Sequence, residues 1–247
     1  TDKIVSEIYG GFIMSIRIVS DSSSNRFHYE NADYTTVPLK IVTDNKEYVD
    51  NEDLDLIGMI KDLKAYKGRS STACPGQGEW LEAFGDAEHV FCITITSKLS
   101  GSYNSARLAK EEYEEEHPGR KVYVIDSLST GAEMKLMIEK LIELDEAGTS
   151  FEDICSMIEA YKETTQLIFS LESLTNLANN GRVNPAVAKI AGVLGIRLVG
   201  TADGGVLNPL AKSRGERGAI KDILKIAKER GYKGGKFFID HCHNPEM

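Results

Sequence analysis

The chain of 247 residues has few cysteines and no long apolar run. Its four cysteines, at positions 74, 92, 155 and 242, form no C-x-x-C pair. This excludes a zinc ribbon and a thioredoxin-type redox motif. No apolar stretch approaches the roughly 18–20 residues that a membrane-spanning helix needs, and no secretory signal is visible. We therefore expect a cytoplasmic protein with free thiols and at most transient membrane contact.

Positive charge is also scarce. The chain has 29 Lys and Arg against 38 Asp and Glu, a formal net charge of −9, which argues against nucleic-acid binding as the main function. There is no Walker motif and no G-x-G-x-x-G. The single G-x-G, Gly76-Gln77-Gly78, does not directly follow a strong strand. Nucleotide binding through a glycine loop is therefore disfavoured.

The first two thirds of the chain alternates strand and helix signals. Strands are predicted over residues 16–20, 37–42, 48–50, 90–96 and 122–126, and helices over 54–66, 78–84, 103–116, 133–146 and from a cap at Thr149 or Ser150 to about 163. The alternation predicts a mostly parallel sheet covered on both faces. Loops rich in Ser, Thr and Gly follow three of these strands, at the edge where such sheets bind ligands.

The last third of the chain has a different pattern of strand and helix signals. Strands are predicted over residues 167–171, 196–200, 206–212 and 237–240, with a hairpin signal at 203–205 and a helix over 215–230. We therefore predict an α/β protein of two domains. Residues 14–164 form a mostly parallel α/β domain, and residues 165–247 form an α+β domain with a mixed sheet. Met14 resembles a natural start, and we assign no role to residues 1–13.

Three features carry candidate chemistry. Ser100-Gly101 lies between a strand and a helix, where a serine could display a nucleophile, although no G-x-S-x-G elbow is present. The favoured interpretation is that Ser100 caps the helix or donates one hydrogen bond. His241 and His243 follow the predicted last strand on one side, and two histidines can bind a metal, but no further ligand cluster is evident. Anion binding or packing is the favoured interpretation of this pair.

The third feature is a basic segment, Lys212–Lys236, which has nine basic and three acidic residues. Its helical positions 217, 221, 225 and 228 fall on one face. Either this is a solvated face, or it docks an acidic partner or phosphates.

Six segments stand out in order along the chain: Ser20-Asp21-Ser22, Thr72-Ala-Cys-Pro-Gly-Gln-Gly-Glu-Trp80, Ser97-Lys-Leu-Ser-Gly-Ser-Tyr103, Val124-Ile-Asp-Ser-Leu-Ser129, Leu174-Thr-Asn-Leu-Ala-Asn-Asn-Gly-Arg-Val183 and Lys212-Ser-Arg214. Together they resemble the DegV family of fatty-acid-binding proteins, over about residues 16–244. Ala73, Gly76 and Asn180 depart from the family pattern. The family usually continues beyond the His segment, so we expect the chain to be a fragment that lacks C-terminal strands.

The resemblance implies that a single long-chain fatty acid binds between two domains. It also implies that the carboxylate is presented to a partner fatty acid kinase, whose acyl phosphate product feeds bacterial phospholipid synthesis. The chain itself would be non-catalytic, with no cofactor and no metal. The implied ligand-binding residues are Thr72, Ser100, Gly101, Ser127, Arg182 and His241 or His243, and the expected partner-docking residues are Arg214, Arg217, Lys221 and Lys225.

Two other functions remain open from the sequence. One is a serine-type hydrolase of acyl esters, with Ser100 as nucleophile and a histidine as base. The other is a lipid sensor without a kinase partner. We expect a monomer in each case.

Overall fold

The computed structural model describes residues 16–184, 195–242 and 244. In chain order, its strands are β1 (Arg17–Asp21), β2 (Asp33–Val37), β3 (Lys40–Val42), β4 (Glu47–Val49), β5 (Ser71–Ala73), β6 (His89–Thr94), β7 (Lys121–Asp126), β8 (Ile168–Leu171), β9 (Ile196–Asp203) and β10 (Val206–Arg214). Its α-helices are α1 (Leu56–Ala65), α2 (Gln77–Phe84), α3 (Ser102–Glu116), α4 (Ala132–Glu146), α5 (Phe151–Lys162), α6 (Thr175–Asn179) and α7 (Gly215–Glu229). A short 3₁₀ turn, Ser22–Ser24, follows β1.

A parallel sheet in the order β2-β1-β6-β7 forms the centre of the first part of the chain. Its strands alternate between two buried clusters, as the pleat requires. Ile18 and Phe91 pack against α4 and α5, whereas Val19 and Cys92 pack against α2 and α3. All six residues of β6 are buried, because it is a central strand covered on both faces. The predicted α/β fold class is confirmed.

The strand order determines where this sheet can bind a ligand. The chain passes from β1 to β2 on one side, whereas β6 pairs with β1 on the other side. The carboxyl ends of β1 and β6 therefore flank a topological switch point, where open parallel sheets form a crevice.

The segment between β2 and β6 contributes a small antiparallel sheet with the strand order β4-β3-β5. The strand predicted over residues 37–42 is in fact two strands, since β2 belongs to the parallel sheet and β3 to the small one. Pro38 lies between them, and a proline cannot donate to a ladder. Strand β5 was not predicted, because its three residues carry no apolar alternation.

The last third of the chain forms a third sheet, β10-β9-β8, whose described strands are all antiparallel neighbours. Helix α7 covers one face through Ala219 and Ile226, which pack on Val199 of β9. The predicted hairpin is confirmed: β9 and β10 are joined by Gly204 and Gly205, which have φ of +58° and +83°. Positive φ at both positions is typical of a tight type I′ turn.

The strand predicted over residues 237–240 is wrong, because these residues form no strand and run instead beside α4. Lys236 Nζ lies 2.6 Å from Glu139, and Asp240 lies 2.5 Å from Lys135 Nζ. Phe237 and Ile239 are 64% and 78% exposed. A segment of high strand propensity forms a strand only where it finds a partner strand, and residues 237–240 pair with none of the described strands.

No helix among the residues that the structure describes is long and apolar enough to cross a membrane.

Candidate functional site

The loop that leaves β6 at the switch point is held by carboxylates from both neighbouring strands. In this β6–α3 loop (residues 95–101), Ile95 N donates to Asp21 Oδ2 at 2.8 Å, and Ser97 N donates to Asp126 Oδ1 at 3.0 Å. Asp21 and Asp126 are the last residues of β1 and β7. The loop is therefore fixed from both sides at the carboxyl edge of the sheet.

Ser100 and Gly101 end this loop and lead into α3. Ser102 N donates to Ser100 Oγ at 3.2 Å. Within the described ranges the Ser100 hydroxyl donates to no protein acceptor, so its own proton remains available to a ligand. The N-terminus of the 15-residue helix α3 adds unpaired N–H groups and a partial positive charge. A carboxylate is the type of group that such donors bind best.

Thr72 lies on β5, opposite Ile41, and is exposed. Its segment approaches the β6–α3 loop through Cys74, since a Cβ at position 101 would lie 3.2 Å from Cys74 Sγ. Glycine at position 101 therefore permits this close approach. Within the described part of the chain, the Thr72 hydroxyl has no hydrogen-bond partner, so it also remains available to a ligand.

Arg182 joins the β6–α3 loop from the second part of the chain. Its Nε donates to Leu99 O at 3.1 Å, and its Nη1 donates to Asn180 O at 2.7 Å. Asn180 Nδ2 in turn donates to Ser70 O at 3.1 Å, just before β5. The structure thus brings Arg182 to the loop of Ser100 and its neighbour Asn180 to the strand of Thr72.

Ser127, also predicted to bind the ligand, forms its side-chain hydrogen bonds within its own loop. It is 2% exposed, its Oγ donates to Ser129 O at 3.0 Å, and the same oxygen accepts from Ser129 N at 3.0 Å. Its single hydroxyl proton is therefore used within its own loop. A role for Ser127 in ligand binding stays a prediction.

Glu133, which follows that loop, is a second buried carboxylate. It accepts from Ser129 Oγ at 2.5 Å and from Thr165 Oγ1 at 2.7 Å. Burial raises the pKa of this carboxyl, and the two hydroxyls oppose that rise. Glu133 links the loop after β7 to the segment that enters β8.

Of the two C-terminal histidines, His241 belongs to the described residues and lies on no strand. His241 is exposed, and its Nδ1 accepts from Asn244 N at 3.1 Å, whereas His243 lies outside the described residues. Among residues 16–184, 195–242 and 244, no group of three or more His, Cys, Asp or Glu could hold a metal ion. None of the four histidines in these ranges is hydrogen-bonded to Ser100.

Two surface cavities, of about 270 and 250 Å³, lie away from these residues. The first is formed around β4 and the start of α1, and the second lies between residues 26–31 and α4. Of the predicted ligand-binding residues that the structure describes, none lines either cavity. The candidate site is therefore identified from the hydrogen-bond donors near the β6–α3 loop, without reference to either cavity.

The four predicted docking residues, Arg214, Arg217, Lys221 and Lys225, are all exposed. They belong to the end of β10 and to α7. Among them, only Lys225 forms an ion pair with a described residue, at 3.8 Å from Glu229. Leu224, 66% exposed, lies next to them. The basic surface (Arg214, Arg217, Lys221 and Lys225) is therefore accessible.

Comparison with known proteins identifies the family. A sequence model described as "Uncharacterised protein, DegV family" matches residues 15–247. The chain belongs to the DegV family. It is similar to a DegV domain-containing protein of Streptococcus pneumoniae, with 38% identity over 236 residues that cover 94% of this chain and 84% of that protein.

Two solved DegV structures are similar to this chain. One is a protein from Eubacterium eligens loaded with heptadecanoic acid, with a TM-score of 0.88, 46% identity, and coverage of 90% of this chain and 81% of that one. The other is the Fatty Acid Kinase (Fak) B3 protein of Streptococcus pneumoniae loaded with linoleic acid, with a TM-score of 0.87, 39% identity, and coverage of 90% and 80%.

Asp21 and Ser102 are functional residues that the sequence patterns do not single out. The signal was present, because Asp21 is the central residue of the S-D-S segment at the end of a predicted strand. Its contacts with residues 95 and 102 depend on the pairing of β1 with β6, which the sequence does not specify.

Proposed function

We propose that this DegV protein binds a single long-chain fatty acid between its two domains and presents the carboxylate to a partner kinase. The observation that carries the proposal is the geometry at Ser100, whose hydroxyl lies at the start of α3 and donates to none of the residues that the structure describes. The fatty acids in the two similar structures support it. This proposal includes the domain boundary between residues 164 and 165 and the position of the ligand between the two domains.

The two ends of such a ligand have different roles. Burying about fifteen methylenes at about 0.8 kcal/mol each would contribute on the order of 12 kcal/mol before the costs of association. The carboxylate contributes orientation, because it is costly to desolvate without hydrogen bonds. Thr72 Oγ1, Ser100 Oγ and Gly101 N are the proposed donors, and Arg182 is proposed to orient the loop. His241 or His243 is proposed to reach the head group.

We infer that the protein is a non-catalytic subunit of a fatty acid kinase. The support is its similarity to Fak B3 and the exposed basic surface, which complements an acidic partner. The kinase would form an acyl phosphate from the presented carboxylate for phospholipid synthesis. A monomer acting in the cytoplasm fits this role.

Mass spectrometry tests the ligand class. An organic extract of the purified, denatured protein should contain a long-chain fatty acid, and native mass spectrometry should give one per chain. A protein that is empty as purified and also fails to bind added fatty acid would contradict the proposal.

Replacement of Ser100 by alanine tests the head-group site. Removal of one hydrogen bond to a charged group should weaken binding of the acid by about tenfold or more. Ser156→Ala, on the surface of α5, is the control and should leave the affinity unchanged. Loss of an esterase activity in Ser100→Ala, with unchanged fatty-acid binding, would instead favour the hydrolase.

Charge reversal tests the docking surface. The variant Arg217→Glu/Lys221→Glu should reduce binding to the catalytic subunit of the pneumococcal fatty acid kinase and leave fatty-acid retention intact. The matched control is Lys61→Glu/Lys64→Glu on α1, which changes the net charge equally. Wild-type protein that holds fatty acid but does not bind the kinase would favour a lipid sensor.

A further inference from the structure

Asp21 ends β1, and one of its oxygens holds both ends of the β6–α3 loop. Its Oδ2 accepts from Ile95 N at 2.8 Å, where the loop begins, and from Ser102 Oγ at 2.6 Å, where α3 begins. The side chain is fully buried. A single carboxylate oxygen therefore fixes the distance between the two ends of the loop.

The other oxygen of Asp21 is also occupied. Its Oδ1 accepts from Ser23 N at 3.3 Å and from the Ser23 hydroxyl. With four donors on its two oxygens, the carboxylate has little capacity left to contact a ligand. Its effect on a ligand must pass through the groups that it holds.

Ser102 connects Asp21 to Ser100. The hydroxyl of Ser102 donates to Asp21, and the backbone N–H of the same residue donates to Ser100 Oγ at 3.2 Å. The bond to Asp21 keeps Ser102 in place, and the backbone bond directs the Ser100 proton away from α3. The orientation of the Ser100 hydroxyl thus depends on the carboxylate of Asp21, which it does not contact directly.

We propose that Asp21 is a positioning residue for the head group, acting through Ser102 to aim the Ser100 hydroxyl at the ligand carboxylate. This inference rests on the proposed function. It gives Asp21 a role in the preference of the protein for a carboxylate over other head groups on the same acyl chain.

The test compares a long-chain fatty acid with the primary alcohol of the same chain length. Dissociation constants for both ligands are measured with wild type, Asp21→Asn and Glu133→Gln. Asparagine keeps the shape but turns an amide N–H₂ toward one pair of donors. Glu133→Gln is the matched control, since Glu133 is also buried and accepts two hydroxyls but holds a different loop.

Asp21→Asn should lower the preference for acid over alcohol by about tenfold, the effect of one charge-assisted hydrogen bond. Glu133→Gln should keep the wild-type preference. An unchanged preference in Asp21→Asn, or an equal loss in both variants, would overturn the inference. Wild type that binds neither ligand would instead refute the proposed function.

A double-mutant cycle separates positioning from general destabilisation. In a Ser100→Ala background, Asp21→Asn should cause little further loss of preference, because its effect passes through the missing hydroxyl. Fully additive losses would contradict the relay. If Asp21→Asn does not fold, Ser102→Ala decides, since it removes the donor to Asp21 but keeps the backbone N–H. It should lower the preference severalfold, and an unchanged preference would overturn the inference.

Discussion

Replacing Gly205 by alanine should disrupt the contact between the β9–β10 turn and the loops of the parallel sheet. A Cβ at position 205 would lie 2.3 Å from Thr96 Oγ1, 3.1 Å from Lys98 Cγ and 3.3 Å from Leu128 Cδ2. Thr96 Oγ1 also donates to Gly205 O at 3.1 Å. Gly204, its neighbour in the turn, would have no atom within 4 Å of an added Cβ. The two glycines therefore differ in their surroundings and share a positive φ.

The shared backbone strain should cost about 1–2 kcal/mol at either position, because both residues have positive φ. At position 205, Thr96 must also move by about 1 Å to restore an ordinary contact. This movement breaks its hydrogen bond, at about 1 kcal/mol, and adds overpacking of about 1–3 kcal/mol. Gly205→Ala should therefore lower the free energy of unfolding by about 2–4 kcal/mol more than Gly204→Ala.

Urea unfolding measures this difference. Circular dichroism follows the whole chain, and the fluorescence of Trp80, the single tryptophan and fully buried, follows the parallel sheet. Because the turn contacts the β6–α3 loop, Gly205→Ala should also weaken fatty-acid binding more than Gly204→Ala. Equal effects of the two variants on stability would refute the docking of the turn against Thr96.

Two further predictions concern the core and the charges. Leu141→Ala removes a fully buried side chain between α4 and the sheet and should cost about 2–5 kcal/mol in urea unfolding, whereas Leu56→Ala, half exposed, should cost less than about 0.5 kcal/mol. Similar costs for both would contradict the assigned core. The hydrogen bond from Asn208 and the ion pair with Arg230 lower the pKa of Asp203. Its stabilising contribution is therefore present above about pH 4 and is lost as the pH falls through the lowered pKa. Asp203→Asn should reduce the free energy of unfolding at pH 7. In urea midpoints measured from pH 2 to 7, the variant should lack the part of the decrease at low pH that protonation of Asp203 causes in wild type. An unchanged pH profile would contradict a stabilising role for the Asp203 carboxylate.

Local patterns in the sequence were sufficient for most helices and strands. Helix α5 begins after Ser150, whose side chain accepts from Asp153 N, as its capping residue predicts. The Gly204-Gly205 turn between β9 and β10 was also predictable, because only a few residue pairs allow two consecutive positive φ values. These features depend on neighbours within a few residues, so the sequence carries them directly.

Features that depend on pairing between distant segments were harder to predict from the sequence. Strand β5 carries Thr72 and exists because it pairs with β3, and residues 237–240 have the composition of a strand but pair with none of the described strands. Ser127 matched a motif, yet its proton is used by Ser129. Residue type indicates which groups can donate, whereas the contacts around each group decide whether the donor is free.

The sequence by itself determined the alternation of strands and helices, the hydroxyl-rich loops at the strand ends and the basic helix α7. Only the tertiary structure decided that β1 lies beside β6, so that the carboxylate of Asp21 meets Ile95 and Ser102 more than seventy positions away. The physical reason is that periodicity records which face of a strand is buried. It does not record which strands are neighbours, and the candidate site is built from the loops of neighbouring strands.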